Sequence, residues 1–397
     1  DDNSIKESVK GEYYALILMI LLGLFSMVSA RNLLMIYLSI ELVSIPSYII
    51  AGISKNDRES NEASLKYVIY GSFASGVMLF GLSWLYGMTG GLDIEHVSSV
   101  LLTFDGSLPI YLSLLLIIVG FGYKISMVPF HYWTPDVYQG APIPVAAFLS
   151  VAPKAAGFAI MIRTFYALFT DGSPLMENNA PIHDIAWPQL IAILSALTMT
   201  VGNVLALKQN NVKRLLAYSS ISHVGFMLIG FSILRTEAIA SIMLYLFIYL
   251  FMNLAAFYMA IYMSNAYNAH TISEWNGMGK QSPVLCIFMV ITLASLAGLP
   301  PTSGFIGKVY IFRNLFIDNS FIWLGLIAII NSVISLYYYF SIVKAMYFEE
   351  NEEIEHKECS PILYWSIIIF SAQNILFYLY WSDILSLINN VLNRTWI

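Results

Sequence analysis

Charge is what this sequence has least of. Only 11% of its 397 residues are Asp, Glu, Lys or Arg, against about 25% in a typical soluble domain. Together with 58% apolar residues and a mean hydropathy of +0.71, that shortage excludes a water-solvated globular domain. Cysteine is almost missing. Cys286 and Cys359 stand far apart, with no CxxC and no His/Cys cluster, so neither a disulfide framework nor a metal or iron–sulfur site is expected. No GxGxxG or P-loop pattern is set between a strand and a helix, so any redox cofactor is expected on another protein. Period-two alternation is absent too, which argues against a membrane β-barrel. No signal-peptide pattern is visible. The chain opens Asp-Asp-Asn rather than with Met, and the simplest expectation is a piece lacking its natural start.

What the sequence has in quantity is apolar runs of about 20 residues, the length that crosses a bilayer as a helix. We predict an all-α integral membrane protein with eleven spans, at 12–30, 32–53, 62–87, 108–128, 142–168, 187–207, 214–234, 236–263, 283–316 (broken), 320–346 and 361–386. Short polar loops join them, and 1–397 reads as one transmembrane domain. Placing residues 1–11 on side B and alternating puts Lys6, Lys10, Lys55, Arg58, Lys208, Lys213, Arg214, Lys280, Lys344 and Lys357 on that side. Side A receives Arg31, Arg235, Arg313 and Arg394, and its loops carry Asp93, Glu95, Asp105, Asp171, Glu177 and Asp184. The positive-inside rule makes side B the cytoplasm or matrix. In the segment GSFASG, Ser72 and Gly76 have the small-xxx-small spacing of a helix contact.

The charges inside the spans need a reason, because each costs about 2.5–3.5 kcal/mol at the bilayer centre. Glu41 lies about 15 Å deep by helix rise, and Pro46 leaves the carbonyl of Leu42 without its helical partner. Lys66 is shallower, with Glu62 at i−4. It suits an interfacial ion pair as well as a switch that pairs with Glu62 or Glu41. Lys124 precedes Pro129 by five residues, and Lys154 follows Pro153 among Ala155, Ala156 and Gly157. Between these lysines a Pro-rich polar turn carries His131, Trp133, Asp136, Tyr138 and Gln139. Lys308 follows LAGLPPTSGFIG, where Pro300 and Pro301 break the span. Such a break at membrane depth is tolerated only where backbone lines a cavity or is buried in protein. Two interrupted spans resemble the paired broken helices of inverted-repeat transporters. His223, in AYSSISHVGFML, suits either hydrogen-bonded packing or a proton relay. An amine out of water favours its neutral form and a nearby carboxylate restores the charged one, so this set suits proton movement from side B to side A. Nothing in the chain supplies the energy.

Six segments, IYLSIELVSIPSYIIAG (36–52), NEASLKYVIYGSFASGVMLFGLSWLYGMTG (61–90), GYKISMVPFHYWTPDVYQGAP (122–142), FLSVAPKAAGF (148–158), VKRLLAYSSISHVGF (212–226) and LAGLPPTSGFIGKVYIF (296–312), resemble subunit N of the proton-translocating NADH–quinone oxidoreductase, respiratory complex I. The resemblance implies a fold of fourteen helices with two inverted five-helix repeats, each holding a broken helix. Here these would be 12–168 and 187–346, with 361–386 as a C-terminal helix and the family's first three helices lacking. It implies that Glu41 is the conducting glutamate, Lys66 the lysine that pairs with it, and Lys124, Lys154 and Lys308 the amines of a proton path. His223 matches a linking residue; apart from the resemblance, the near-neutral reference pKa of histidine makes both His131 and His223 candidate proton relays. No catalytic residue, cofactor or metal ligand is implied for this chain; FMN, Fe–S clusters and quinone belong to other subunits. The implied partners are the M- and K-type neighbours, through them L, J, A and H, and the lipid bilayer, with no nucleic acid. The implied setting is the bacterial cytoplasmic membrane or an organellar energy-converting membrane. Two other readings stay open: a subunit of a multi-subunit sodium–proton exchanger, and a membrane scaffold without conduction.

Overall fold

The computed structural model describes residues 5, 7–171, 180–350 and 359–395; Lys6, Glu177 and Lys357 lie outside the described residues. Fifteen helices follow in order: α1 (Lys10–Ser29), α2 (Leu33–Ala51), α3 (Arg58–Thr89), α4 (Ile94–Thr103), α5 (Ser107–Ile125), α6 (Trp133–Gly140), α7 (Ile143–Phe169), α8 (Trp187–Ala206), α9 (Val212–Ser232), α10 (Thr236–Tyr267), α11 (Met278–Gln281), α12 (Pro283–Ala297), α13 (Ser303–Asp318), α14 (Ile322–Phe348) and α15 (Pro361–Thr395). With little water to take up backbone hydrogen bonds, the apolar segments satisfy them internally as helices. Several starts are set by side chains that accept from the free backbone N–H groups: Asn32 from Leu34, Asp57 from Glu59, Asp93 from Glu95 and Asn211 from Arg214.

Among the described residues, ten helices are long and apolar enough to cross a membrane. The predicted broken span is built from α12 and α13, each too short alone. Contacts between loops join chain ends that the charge count put on the same side: Asn32 with Asp93 on side A, Asn211 with Thr271 on side B, and the Gly277 N–H with the Ala345 carbonyl on side B. The bundle is centred on α9, whose apolar window is wholly buried, whereas α1 and α15 keep most of theirs exposed.

Both interruptions are chemically legible. α5 stops at Ile125 because Ser126 turns left-handed at φ 67°, and the Met127 N–H reaches back 2.7 Å to the Gly122 carbonyl. α12 stops at Gly298, φ 83°, where a glycine accommodates the left-handed cap without a Cβ. The peptide bonds before Pro129 and Pro301 are cis.

Four local expectations are corrected. The polar turn after Lys124 is not all turn, since residues 133–140 form α6; Pro135 sits in its first turn, where no backbone donor is lost. The acidic side A loop after α3 folds into α4, an amphipathic helix that buries Ile94, Val97 and Leu101. Pro46 does not interrupt α2, which runs on to Ala51. Gly23 lets α1 press against that point, where a Cβ would come within 2.9 Å of the Val43 N and 3.1 Å of the Leu42 carbonyl carbon. Finally, Ser72 and Gly76 face outward from this chain, and it is Gly71 and Ala74 that α3 packs inward.

Candidate functional site

Lys124, Lys154 and Lys308 are buried, with 3%, 2% and 4% of their surface exposed. They come from the last turn of α5, the middle of α7 and the second turn of α13. Unpaired buried charge is expensive, so what surrounds each amine decides what it can do.

The Lys124 ammonium nitrogen donates to Ser44 Oγ at 3.0 Å. One turn earlier on α2 stands Glu41, near Lys124 and Tyr48. Its Oε1 is buried without a hydrogen-bond partner. The Lys124 stem lies against α7 at Gly157, where a Cβ would stand 3.5 Å from Lys124 Cγ. Lys154 is three residues back on the same helix, about one turn.

Lys154 Nζ donates to Ser220 Oγ at 2.7 Å and sits 5.7 Å from the centre of the Tyr138 ring. The hydroxyls of Tyr138 and Tyr249 also face Ser220, buried and without a hydrogen-bond partner of their own. His223 follows one turn along α9. Its Nδ1 is 2.7 Å from the Tyr245 hydroxyl and its Nε2 is 3.2 Å from the Tyr339 hydroxyl. A neutral imidazole has one donor and one acceptor nitrogen, so at least one of these tyrosines donates to it. Ser219 hydrogen bonds to Tyr339. Both Lys154 and Lys308 lie near His223.

Lys308 Nζ donates 2.7 Å to the carbonyl of Ala297, the final residue of α12, and lies 4.6 Å over the Phe226 ring. A helix end leaves carbonyls without partners; here the second half of the broken span supplies a cation to the first. Ser219, Ser220, His223 and Phe226 recur at helical spacing, so one face of α9 meets Lys154 at Ser220 and Lys308 at Phe226, with His223 in the turn between. Among the described residues, none of the three buried lysines forms a salt bridge. Their partners are a serine, a serine and a carbonyl, which accept from either form of an amine and leave proton loss open.

Lys66 belongs elsewhere. It pairs with Asp136 at 2.5 Å and Glu62 at 2.8 Å, and the expected partnership with Glu41 is not formed. The register of the helix pair explains this. Ser60 hydrogen bonds to the Ala51 carbonyl, Ser64 to that of Tyr48, and Tyr37 meets Ser75. Lys66 therefore stands at the level of Pro46, more than a turn from Glu41. His131 is buried in the turn between α5 and α6, with its ring 4.5 Å from that of Tyr132 and Nδ1 unpaired. No hydrogen bond joins it to a lysine among the described residues.

Sequence reasoning missed Ser44, Ser220, Tyr245 and Tyr339 as partners of the charged groups, and Arg214 as a partner of Asp136. Arg214 Nη1 reaches Asp136 at 2.6 Å and Gln139 at 3.1 Å. The run AYSSISH was a signal for the serines; nothing local marks Tyr339, which comes 116 residues after His223. Asp136 thus carries two half-exposed ion pairs. We expect Asp136→Asn to destabilise the detergent-solubilised complex by about 1–2 kcal/mol, read as a lowered thermal midpoint; an unchanged midpoint would mean that solvent screens both pairs.

A helical bundle with two interrupted spans and a row of buried amines defines an antiporter-like membrane subunit. Residues 30–335 match the NADH:quinone oxidoreductase/Mrp antiporter transmembrane family, and the chain belongs to it. It is 43% identical over 382 residues to NADH-quinone oxidoreductase subunit N 2 of Sorangium cellulosum, covering 94% of this chain and 74% of that protein. A chain in the structure of respiratory complex I from Thermus thermophilus superposes with a TM-score of 0.79 at 32% identity, covering 94% of this chain and 79% of that one. A chain of the Mrp complex from Dietzia has a TM-score of 0.81 at 18% identity, covering 95% and 76%, a likeness of fold alone.

Proposed function

We propose that this chain moves protons across the membrane as a subunit-N-type member of NADH–quinone oxidoreductase, driven by redox chemistry in other subunits. The observation that carries this reading is the row on α9: Lys154 on Ser220, His223 between two tyrosine hydroxyls, and Lys308 beyond it. Each group exchanges a proton at an atom that already has a hydrogen-bond partner. Glu41 and Lys124 form the other end. A proton taken from side B loads the row, and one released at side A completes the transfer. Lys66 acts at the side B surface through Asp136, and His131 supports the first break rather than the row.

Moving each charge against 100 mV takes about 2.3 kcal/mol, so the chain needs a driving partner. FMN, Fe–S clusters and quinone would lie on other subunits. M- and K-type neighbours would flank this one, and the setting would be a bacterial cytoplasmic or organellar energy-converting membrane. Among the described residues, no group of three or more His, Cys, Asp or Glu is gathered as for a metal.

The sodium–proton exchanger reading is separated by one experiment. In proteoliposomes of the assembled complex, we expect proton translocation to proceed at the same rate in sodium-free buffer. We expect Glu41→Gln to lower it about tenfold whether or not sodium is present. Sodium-dependent transport that Glu41→Gln abolishes would favour the exchanger.

A further inference from the structure

The proposed row begins at Lys124, and the structure contains a second line of groups that ends there. On side B a cavity of about 140 Å³ is lined by Glu59, Glu62, Asp136, Gln139, Gly140 and Arg214 with Ala63. It lies where α3, α6 and α9 meet, and Lys66 and Arg214 hold Asp136 at its edge. One turn of α3 inward from Ala63, the ring of Tyr67 stacks on that of Trp133, 4.4 Å between centres and 14° between planes. Trp133 is itself three residues before Asp136, so the ion pairs at the cavity and the stack above it share α6.

Past the stack the groups are hydroxyls. Tyr123 donates to the Tyr67 carbonyl at 3.0 Å. The Tyr123 and Tyr48 hydroxyls face each other, and Tyr48 also faces Ser44. They meet over Gly71, where a Cβ would overlap the Tyr48 hydroxyl and lie 2.7 Å from that of Tyr123. A glycine is therefore needed at 71 for the two oxygens to converge. Ser44 then accepts from Lys124 Nζ. Tyr48, Tyr123 and Ser44 are all buried, at 6%, 6% and 3% exposed.

Building on the translocation reading above, we propose that Tyr123, Tyr48 and Ser44 form the side B limb of the proton path to Lys124. The step balances without a co-reactant. Once the Ser44 and Tyr123 hydroxyls turn from the Ile40 and Tyr67 carbonyls they donate to, neutral Lys124 takes the proton of Ser44 Oγ as Ser44 takes that of Tyr48, Tyr48 that of Tyr123, and Tyr123 one from hydronium arriving from side B, which leaves as water. One O–H bond breaks and one forms at each hydroxyl, and rotation of the hydroxyls resets the chain. Parting the Tyr67–Trp133 stack joins the cavity water to Tyr123. In the present arrangement the stack closes the limb, which keeps Lys124 from equilibrating with side B at all times.

The test uses assembled complex in proteoliposomes, with proton uptake and quinone reduction followed together. Tyr48→Phe and Tyr123→Phe keep the rings and remove the hydroxyls, and Ser44→Ala cuts the limb next to Lys124. Each is expected to slow proton translocation about tenfold and to raise its solvent isotope effect, with normal subunit content. Tyr166→Phe is the control: that tyrosine is as buried, and its hydroxyl donates to the Ile233 carbonyl at 2.9 Å near side A, away from the limb. It is expected to stay within about twofold of the parent. If Tyr48→Phe and Tyr123→Phe pump at the Tyr166→Phe rate while Lys154→Ala does not pump, the limb is refuted and the row stands. If Lys154→Ala also pumps normally, the translocation reading itself fails.

Discussion

Lys154→Ala is expected to assemble into the complex and to lose at least about tenfold in proton translocation. The alanine leaves Ser220 without the amine it accepts from and removes the amine near His223. It also relieves the bilayer interior of a charged side chain, so stability gives no reason for a loss of function. Lys154→Arg sharpens the test. Arginine keeps the charge and the donors but does not release its proton in proteins, so it is expected to pump no better than alanine. Proton uptake per quinone reduced, measured in proteoliposomes, checks both. Full pumping by Lys154→Ala would remove the mechanism, and full pumping by Lys154→Arg would show that the position needs charge rather than proton exchange.

Gly304→Ala is expected to be the most damaging single methyl in the chain. The added Cβ would overlap the Ser295 carbonyl oxygen and come within 2.8 Å of its carbon and 3.0 Å of Met252 Sδ. Backbone atoms cannot swing aside as a side chain can. The Gly304 N–H also donates to Ser295 Oγ at 3.1 Å, so this contact is what locks α13 against α12. Overpacking of this kind costs about 1–3 kcal/mol or more. Because α13 carries Lys308 to the Ala297 carbonyl, the substitution should lower both the thermal midpoint of the solubilised complex and its proton translocation. Gly87→Ala is the comparison, since a Cβ there meets nothing within 4 Å. Equal behaviour of the two variants would show that the second break tolerates separation of its halves.

The two predictions draw on features that were not equally visible beforehand. That Lys154 is buried could be read from one helix alone, because a lysine amid Pro, Ala and Gly in an apolar run has no water within reach. That Gly304 is pressed against Ser295 could not, because both ends of the contact are set by how two half-helices fold back on each other. Lys66 shows the same limit from the other direction. Its i−4 partner Glu62 was legible, since a helix brings those two together wherever it lies. Its stronger contact, with Asp136, depends on where α6 docks, and the expected tie to Glu41 failed on a register difference of a little over one turn.

The sequence by itself determined that the chain is a membrane bundle, the course of its long apolar helices and which charged residues are buried in them. Those properties follow from the cost of placing peptide groups and charges in hydrocarbon, a cost that each segment meets alone. The tertiary structure alone decided which hydroxyl or carbonyl each buried lysine holds, that one face of α9 meets Lys154 and Lys308, and that Lys66 sits with Asp136 at the side B surface. These depend on distances between residues tens to more than a hundred positions apart, such as His223 and Tyr339. In a chain that is apolar throughout, hydropathy does not say which faces meet; packing of small residues and the few buried hydrogen bonds does.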